Sequence, residues 1–308
     1  VNVRRAALTL AIAAVIGATA TLPVRAEGDV GHTAPQGPAA VRFAADFPTL
    51  VDSEWGFTIG GFGGIHRRAP REHVPVIFVH GNTVDHADWY PVRDDFRAAG
   101  WSDQELWALS YNGLGGNNGS GVRMNPERDA EHQAMGWDGA ARVTANEVNM
   151  ADLYAFIKAV QRYTGSTRFS LVTHSLGVTV ARETLRVHRE LRRHLVAFVG
   201  IAGGNHGTSL CPPGAAGTVY GCDELEQGSA WLARLNGPGG RDETYGRTRW
   251  MTIYDGSGAC DLAYVSPQYA SSPVLAGADN RTFLKDHNSL RISEETVAIY
   301  RAFLESAE

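Results

Sequence analysis

An α/β fold, with a mostly parallel central sheet and helices on both of its faces, is what this sequence predicts, and three observations predict it. Short apolar runs rich in β-branched residues recur along most of the chain. They are continuous rather than alternating, as strands buried on both faces must be. Each is separated from the next by a stretch with helical periodicity or by a loop rich in glycine and asparagine, which is the β-α alternation of a parallel sheet. At 308 residues the chain can build one large domain with a substantial core.

The elements follow in order. Arg4 and Arg5 precede an apolar run from Ala6 to Leu22, and Val24-Arg25-Ala26 ends it in small-residue fashion, so residues 1–26 read as a secretory signal peptide with Ala26 the last residue removed. The run is too short, and too soon stopped by Pro23, to read as a membrane span. Residues 27–70 begin rich in Pro, Gly and Ala and read as an N-terminal arm or cover; residues 71–308 read as the catalytic domain. Strands are expected at 74–80, 105–111, 168–173, 195–203 and 248–255, with helices near 89–99, 143–163, 176–188 and 293–304. In the long helix Met150, Leu153, Tyr154, Ile157 and Val160 share one face, and Thr164-Gly165 supplies the stop. Segments 112–133 and 205–247 fit neither pattern and read as loops beside a site.

Removing residues 1–26 takes away Arg4, Arg5 and Arg25 and no acid, which moves the formal charge from −5 to −8. Such an acidic surface argues against a nucleic-acid partner. The leader implies a secreted or periplasmic protein with no integral membrane segment after processing. In that oxidising setting two of Cys211, Cys222 and Cys260 are expected to pair, as Cys211 with Cys222 or Cys222 with Cys260.

The chemistry concentrates around Thr173-His174-Ser175-Leu176-Gly177, where an apolar run gives way to a helical pattern. Taken alone, Ser175 could be a nucleophile on a sharp strand-to-helix turn or simply the N-cap of the next helix. The rest of the chain favours the nucleophile. An acyl-transfer serine needs two N–H donors for the oxyanion, one from the residue after it and one from a loop after an earlier strand. Leu176 is the first, and Asn82, after the strand ending His80-Gly81, is the second. His80 reads as a turn residue and not a base. The base must follow the acid, and His287 is the histidine that lies beyond all the expected strands. For the acid, Asp261 is preferred over Asp255, because it lies in the loop beyond its strand and can reach across to a histidine; Asp255 also reads as a turn-former. No H-E-x-x-H spacing occurs, and this chemistry calls for neither metal nor organic cofactor.

With these residues identified, the segments VIFVHGN, VTHSLGV, FVGIAGGNHG, IYDGSGACDLAYV and DHNSLRIS resemble the secreted class 2 lipases of the α/β-hydrolase superfamily, over roughly residues 74–303. GGFGG ahead of VPVIFVHGN is similar to the layout of an extracellular polyhydroxybutyrate depolymerase of the same fold. The resemblance implies Ser175 as nucleophile, Asp261 as acid, His287 as base, and the Asn82 and Leu176 amides as oxyanion hole. Thr173 departs from the small residue expected two before the serine.

The expectation is therefore a secreted serine hydrolase of carboxylic esters, a lipase or esterase whose partner is a lipid or polyester substrate. Its rivals are a polyhydroxyalkanoate depolymerase, which would grip its solid substrate with exposed aromatics such as Tyr111, Tyr220, Trp231 and Tyr245, and a non-catalytic binding protein on a hydrolase fold.

Overall fold

Successive side chains of a strand point to opposite faces, and in the central strands here both faces are buried. Val76 and Phe78 of one strand pack into a core with Leu106, Ala108, Val172, Val199 and Ile253, while Ile77 and Val79 join Trp107, Leu109, Leu171 and Phe198 on the other side. That is the physical reason the strands read as unbroken apolar runs.

The computed structural model describes residues 42–51, 58–64, 71–82, 84–111, 145–215, 221–265 and 267–308. The chain divides into the units Val1–Gly31 and His32–Glu308, and all of these residues belong to the second. The expected signal peptide, the loop at 112–133 and Tyr220 lie outside the described residues.

Seven strands form one sheet: β1 (Gly60–Phe62), β2 (Val76–Val79), β3 (Leu106–Ser110), β4 (Phe169–His174), β5 (Leu195–Ile201), β6 (Arg249–Tyr254) and β7 (Asp279–Thr282), in the order β1-β3-β2-β4-β5-β6-β7. Every neighbouring pair is parallel except β1 with β3. The predicted fold class is therefore the observed one. Helices α1 (Tyr90–Ala98) and α5 (Glu294–Glu305) cover one face through Val92, Phe96, Val297, Tyr300 and Phe303. Helices α2 (Ala145–Thr164) and α3 (Leu176–Val187) cover the other. A shorter helix, α4 (Ala230–Asn236), lies in the long connection before β6.

Two strands escaped the sequence reading, both at the edges. β7 is Asp279-Asn280-Arg281-Thr282, largely exposed, and offers no apolar run. β1 lies within the segment read as an arm and is too short, and too rich in glycine, to announce itself. Helix α2 is rotated from its expected face: Leu153, Phe156, Ile157 and Val160 are buried, whereas Met150 and Tyr154 are only half covered. It ends as expected, with Gly165 in the left-handed region at φ 70°.

β2 sits at the point where the order of the sheet reverses, since the chain passes from it to β3 on one side and later returns to β4 on the other. In open parallel sheets this switch point is where a crevice opens beyond the carboxyl ends of the strands. Ser175 follows directly from β4 there, and Gly81 lies just beyond β2.

Candidate active site

At Ser175 the backbone takes φ 55° and ψ −125°, a conformation that an L-residue adopts only at a cost of about 1–3 kcal/mol and that the surrounding packing must enforce. The enforcement is visible at two glycines. A Cβ on Gly177 would fall 2.4 Å from the His80 carbonyl oxygen and 2.7 Å from that of Val79, and one on Gly81 would fall 2.9 Å from the Cβ of Ser175. β2 and the start of α3 thus pack backbone to backbone around the serine. Ser175 makes no side-chain capping bond to α3. The helix-cap reading of this residue has no hydrogen bond behind it.

Thr173, the bulky departure in the motif, is accommodated rather than strained. It stands opposite Gly200 on β5, and its hydroxyl donates to the Val199 carbonyl oxygen at 2.9 Å.

The turn after β2 is braced from below. The Tyr111 hydroxyl donates to the His80 carbonyl oxygen, the Tyr111 and His80 rings stack at 3.8 Å, and His80 Nδ1 lies 2.8 Å from the Gly81 oxygen. Burial is the main cause that pulls the His80 pKa down to about 3, so the ring is neutral, with a structural role. Asn82 follows this anchored pair of carbonyls and the glycine that packs against Ser175; Leu176, buried, is the first residue of α3 after the serine.

Beyond β6 the two candidate acids differ sharply in their partners. Asp255 accepts from the amides of Ser257, Ala259, Cys260 and Asp261 at 3.0, 3.2, 2.7 and 3.0 Å, and from the Ser257 hydroxyl at 2.5 Å. Burial alone would raise its pKa; these hydrogen bonds outweigh it and hold the carboxyl at about 2. Asp261, fully buried, instead points both oxygens at His287 Nδ1, at 3.0 and 2.9 Å. One oxygen also receives the Ala263 amide at 2.9 Å. A carboxylate can only accept, so His287 carries its proton on Nδ1 and leaves Nε2 free to take one. Asp255 thus builds the turn that presents Asp261.

His287 lies in the loop after β7, a quarter exposed. That loop is tied to the end of β4, next to Ser175, by His174, whose Nε2 is 3.0 Å from the His287 carbonyl oxygen and whose ring centroid is 4.6 Å from that of His287. Among the described residues no hydrogen bond joins Ser175 Oγ to His287.

Several contributors were invisible in the sequence. Tyr111 ended a strand, His174 filled a variable position of the motif, and Arg291 lay in the final loop. Arg291 is buried, pairs with Asp88 at 2.9 Å and donates to the Asp88 carbonyl oxygen, joining the segment after β2 to the helix after His287.

The remaining expectations divide. Cys211 pairs with Cys222, with the Cα atoms 5.2 Å apart, and Cys260 is free. Tyr111, Trp231 and Tyr245 are buried and form no exposed aromatic grip: Tyr111 and Tyr245 belong to a core that packs on the sheet, and Trp231 packs with Leu232 and Leu235 of its own helix. Among the described residues Leu262, directly after Asp261, is 60% exposed, and Leu210 is 61% exposed next to Ser209, whose hydroxyl donates to the Leu262 carbonyl oxygen at 3.0 Å. No helix among the described residues is long and apolar enough to cross a membrane.

Over residues 73–125 and 131–256 the sequence matches the model of the family described as Lipase (class 2). A search of curated proteins gave no match. Among solved structures the fold is similar to Bacillus licheniformis lipase BlEst2, with a TM-score of 0.53 to its propeptide form (15% identity, covering 77% of this chain and 52% of that one) and 0.51 to its mature form (15% identity, 77% and 96%). It is also similar to Aspergillus fumigatus lipase B, of whose length this chain spans about half (TM-score 0.49, 17% identity, 71% of this chain and 49% of that one). At these identities the likeness is one of fold.

Proposed function

Because the chain belongs to the class 2 lipase family, an α/β-hydrolase group of lipase and esterase type, we propose that it hydrolyses carboxylic esters through Ser175, His287 and Asp261. His287 Nε2 takes the proton of Ser175 Oγ as that oxygen attacks the ester carbonyl, and the amides of Asn82 and Leu176 receive the oxyanion. His287 then returns the proton to the departing alcohol. Water, activated by the same nitrogen, releases the acid and frees the serine. Asp261 keeps the ring in the tautomer that leaves Nε2 bare and stabilises the imidazolium. The observation that carries the reading is the turn at Ser175: a non-glycine residue at φ 55°, packed against Gly81 and Gly177 at the switch point of the sheet.

The substrate proposed is a lipid or other acyl ester. Leu210 and Leu262 offer exposed aliphatic surface beside Asp261, suited to acyl chains, while the buried aromatics do not favour a polyester depolymerase. Residues 1–26 are proposed as a signal peptide and 27–70 as an N-terminal arm that supplies β1 to the sheet of the catalytic domain otherwise at 71–308, with the mature protein secreted or periplasmic; the Cys211 to Cys222 bridge suits that setting.

The test is Ser175→Ala assayed on a p-nitrophenyl ester, with turnover expected to fall about 10⁴-fold or more. Retained turnover ends the proposal, and so does failure of an organophosphate to label Ser175 in the unmodified protein. A panel of tributyrin, long-chain triacylglycerol and polyhydroxybutyrate granules assigns the substrate, with clearing of the granules alone overturning the choice of lipid.

A further inference from the structure

His174 is a buried histidine whose chemistry the proposed mechanism does not use. It is 2% exposed, at the end of β4 and next to Ser175. Its Nε2 faces the backbone oxygen of His287 at 3.0 Å, and a carbonyl oxygen can only accept, so Nε2 carries the proton and Nδ1 is bare. Nδ1 is buried and makes no hydrogen bond, lying 3.3 Å from where a Cβ on Gly81 would stand. Burial is the main cause that pushes the pKa of His174 well below the ordinary histidine range. The ring is therefore neutral, with one N–H used and one acceptor unsatisfied.

An unsatisfied buried acceptor destabilises the fold, so packing alone would favour an apolar side chain at this position. What the histidine supplies is its single donor. The other bonds in the His287 loop are mostly local: the Asp286 carboxylate accepts from the amides of Asn288 and Ser289 and from the Ser289 hydroxyl. None of these ties the loop to the strand that carries the serine; the His174 bond does.

We propose that His174 is a positioning residue for ester hydrolysis, its Nε2–H fixing the His287 backbone over the Ser175 turn so that the ring oriented by Asp261 meets the serine hydroxyl. The inference rests on the reading of Ser175 and His287 as nucleophile and base.

Two measurements test it. In the first, His174→Phe keeps an aromatic ring and removes both the donor and the stranded acceptor. Its Tm is expected to equal or exceed that of the unmodified protein while kcat on p-nitrophenyl butyrate falls by on the order of 10²-fold, as small misplacements of catalytic groups do, with KM little changed. His174→Gln, whose amide nitrogen can reach the place of Nε2, is expected to recover most of that loss. Wild-type kcat in His174→Phe overturns the inference, and so does an equal loss in the Phe and Gln variants. Controls separate the failures: turnover retained in Ser175→Ala or His287→Ala sinks the triad reading and this inference together, whereas turnover lost there but kept in His174→Phe sinks this inference alone. The second measurement needs no variant. ¹⁵N NMR of histidine-labelled protein is expected to show His174 as the Nε2–H tautomer in slow exchange, and a proton on Nδ1 with Nε2 bare overturns the proposal.

Discussion

The turns that follow β4 and β6 carry the proposed nucleophile and the proposed acid, and they hold them by opposite means. After β4 the chain is held by sterics: Ser175 sits in a strained backbone conformation because Gly177 and Gly81 allow β2 to close upon it, and no side chain of the turn caps α3. After β6 the chain is held by polar satisfaction: one carboxylate, Asp255, gathers four amides and a hydroxyl, and Asp261 is presented at the end of the turn. A nucleophile must be held where nothing ties up its oxygen, so its position is secured by packing. An acid has to stay ionised and aimed, so it is placed by a hydrogen-bonded frame that a second carboxylate organises.

The sharpest way to break this comparison is to exchange the roles of the two acids. Asp261→Asn keeps the shape and can turn an amide N–H toward His287, which reverses the tautomer; kcat on a p-nitrophenyl ester is expected to fall about 10⁴-fold with the fold intact by circular dichroism. A larger loss in Asp255→Asn than in Asp261→Asn would reassign the acid.

The steric turn is tested next. Gly177→Ala places a methyl group 2.4 Å from the backbone oxygen of His80, just beyond β2, and 2.7 Å from that of Val79 within it, and neither can rotate away. Thermal unfolding is expected to show a loss of about 1–3 kcal/mol, with turnover falling as β2 and the Asn82 amide are pushed off the serine. Unchanged stability and rate would mean that the turn does not depend on close approach.

The smallest effect is expected at Asp255→Asn. Because the folded carboxyl is held at about 2, below its ordinary 3.8, its contribution is fully present above about pH 4 and is lost as the pH falls toward 2. The unmodified protein should therefore lose roughly 2 kcal/mol of stability across that window from this group, a slope that denaturant titrations at each pH would show reduced in the variant. Turnover near neutral pH should fall far less than in Asp261→Asn.

Residues that must be a particular type wherever they lie in space were legible in the chain. The five central strands and four of the helices could be read because burial on both faces, or on one stripe, demands apolar side chains at fixed periods. Ser175 and His287 could be proposed from residue type and order, with Asp261 preferred over Asp255, and Asn82 and Leu176 from their place after a strand and a serine. The edge strands could not: β1 is three residues long and two of them are glycine, and β7, composed of Asp, Asn, Arg and Thr, is largely exposed and so carries no apolar run. The aromatics Tyr111, Trp231 and Tyr245 misled, since a large ring with a polar tip suits both a binding mouth and a packed interior, and only the neighbours decide.

By itself, then, the sequence determined the class of fold, the turn that carries the serine, and the set of side chains from which a hydrolytic site could be drawn. Period, residue type and chain order act locally and so are written in the chain. Tertiary structure alone decided which cysteines pair, which of two aspartates six residues apart faces His287, and that His174 reaches the His287 carbonyl. Those are relations of distance between segments up to 113 residues apart, and the packing of a sheet sets them with no local signature.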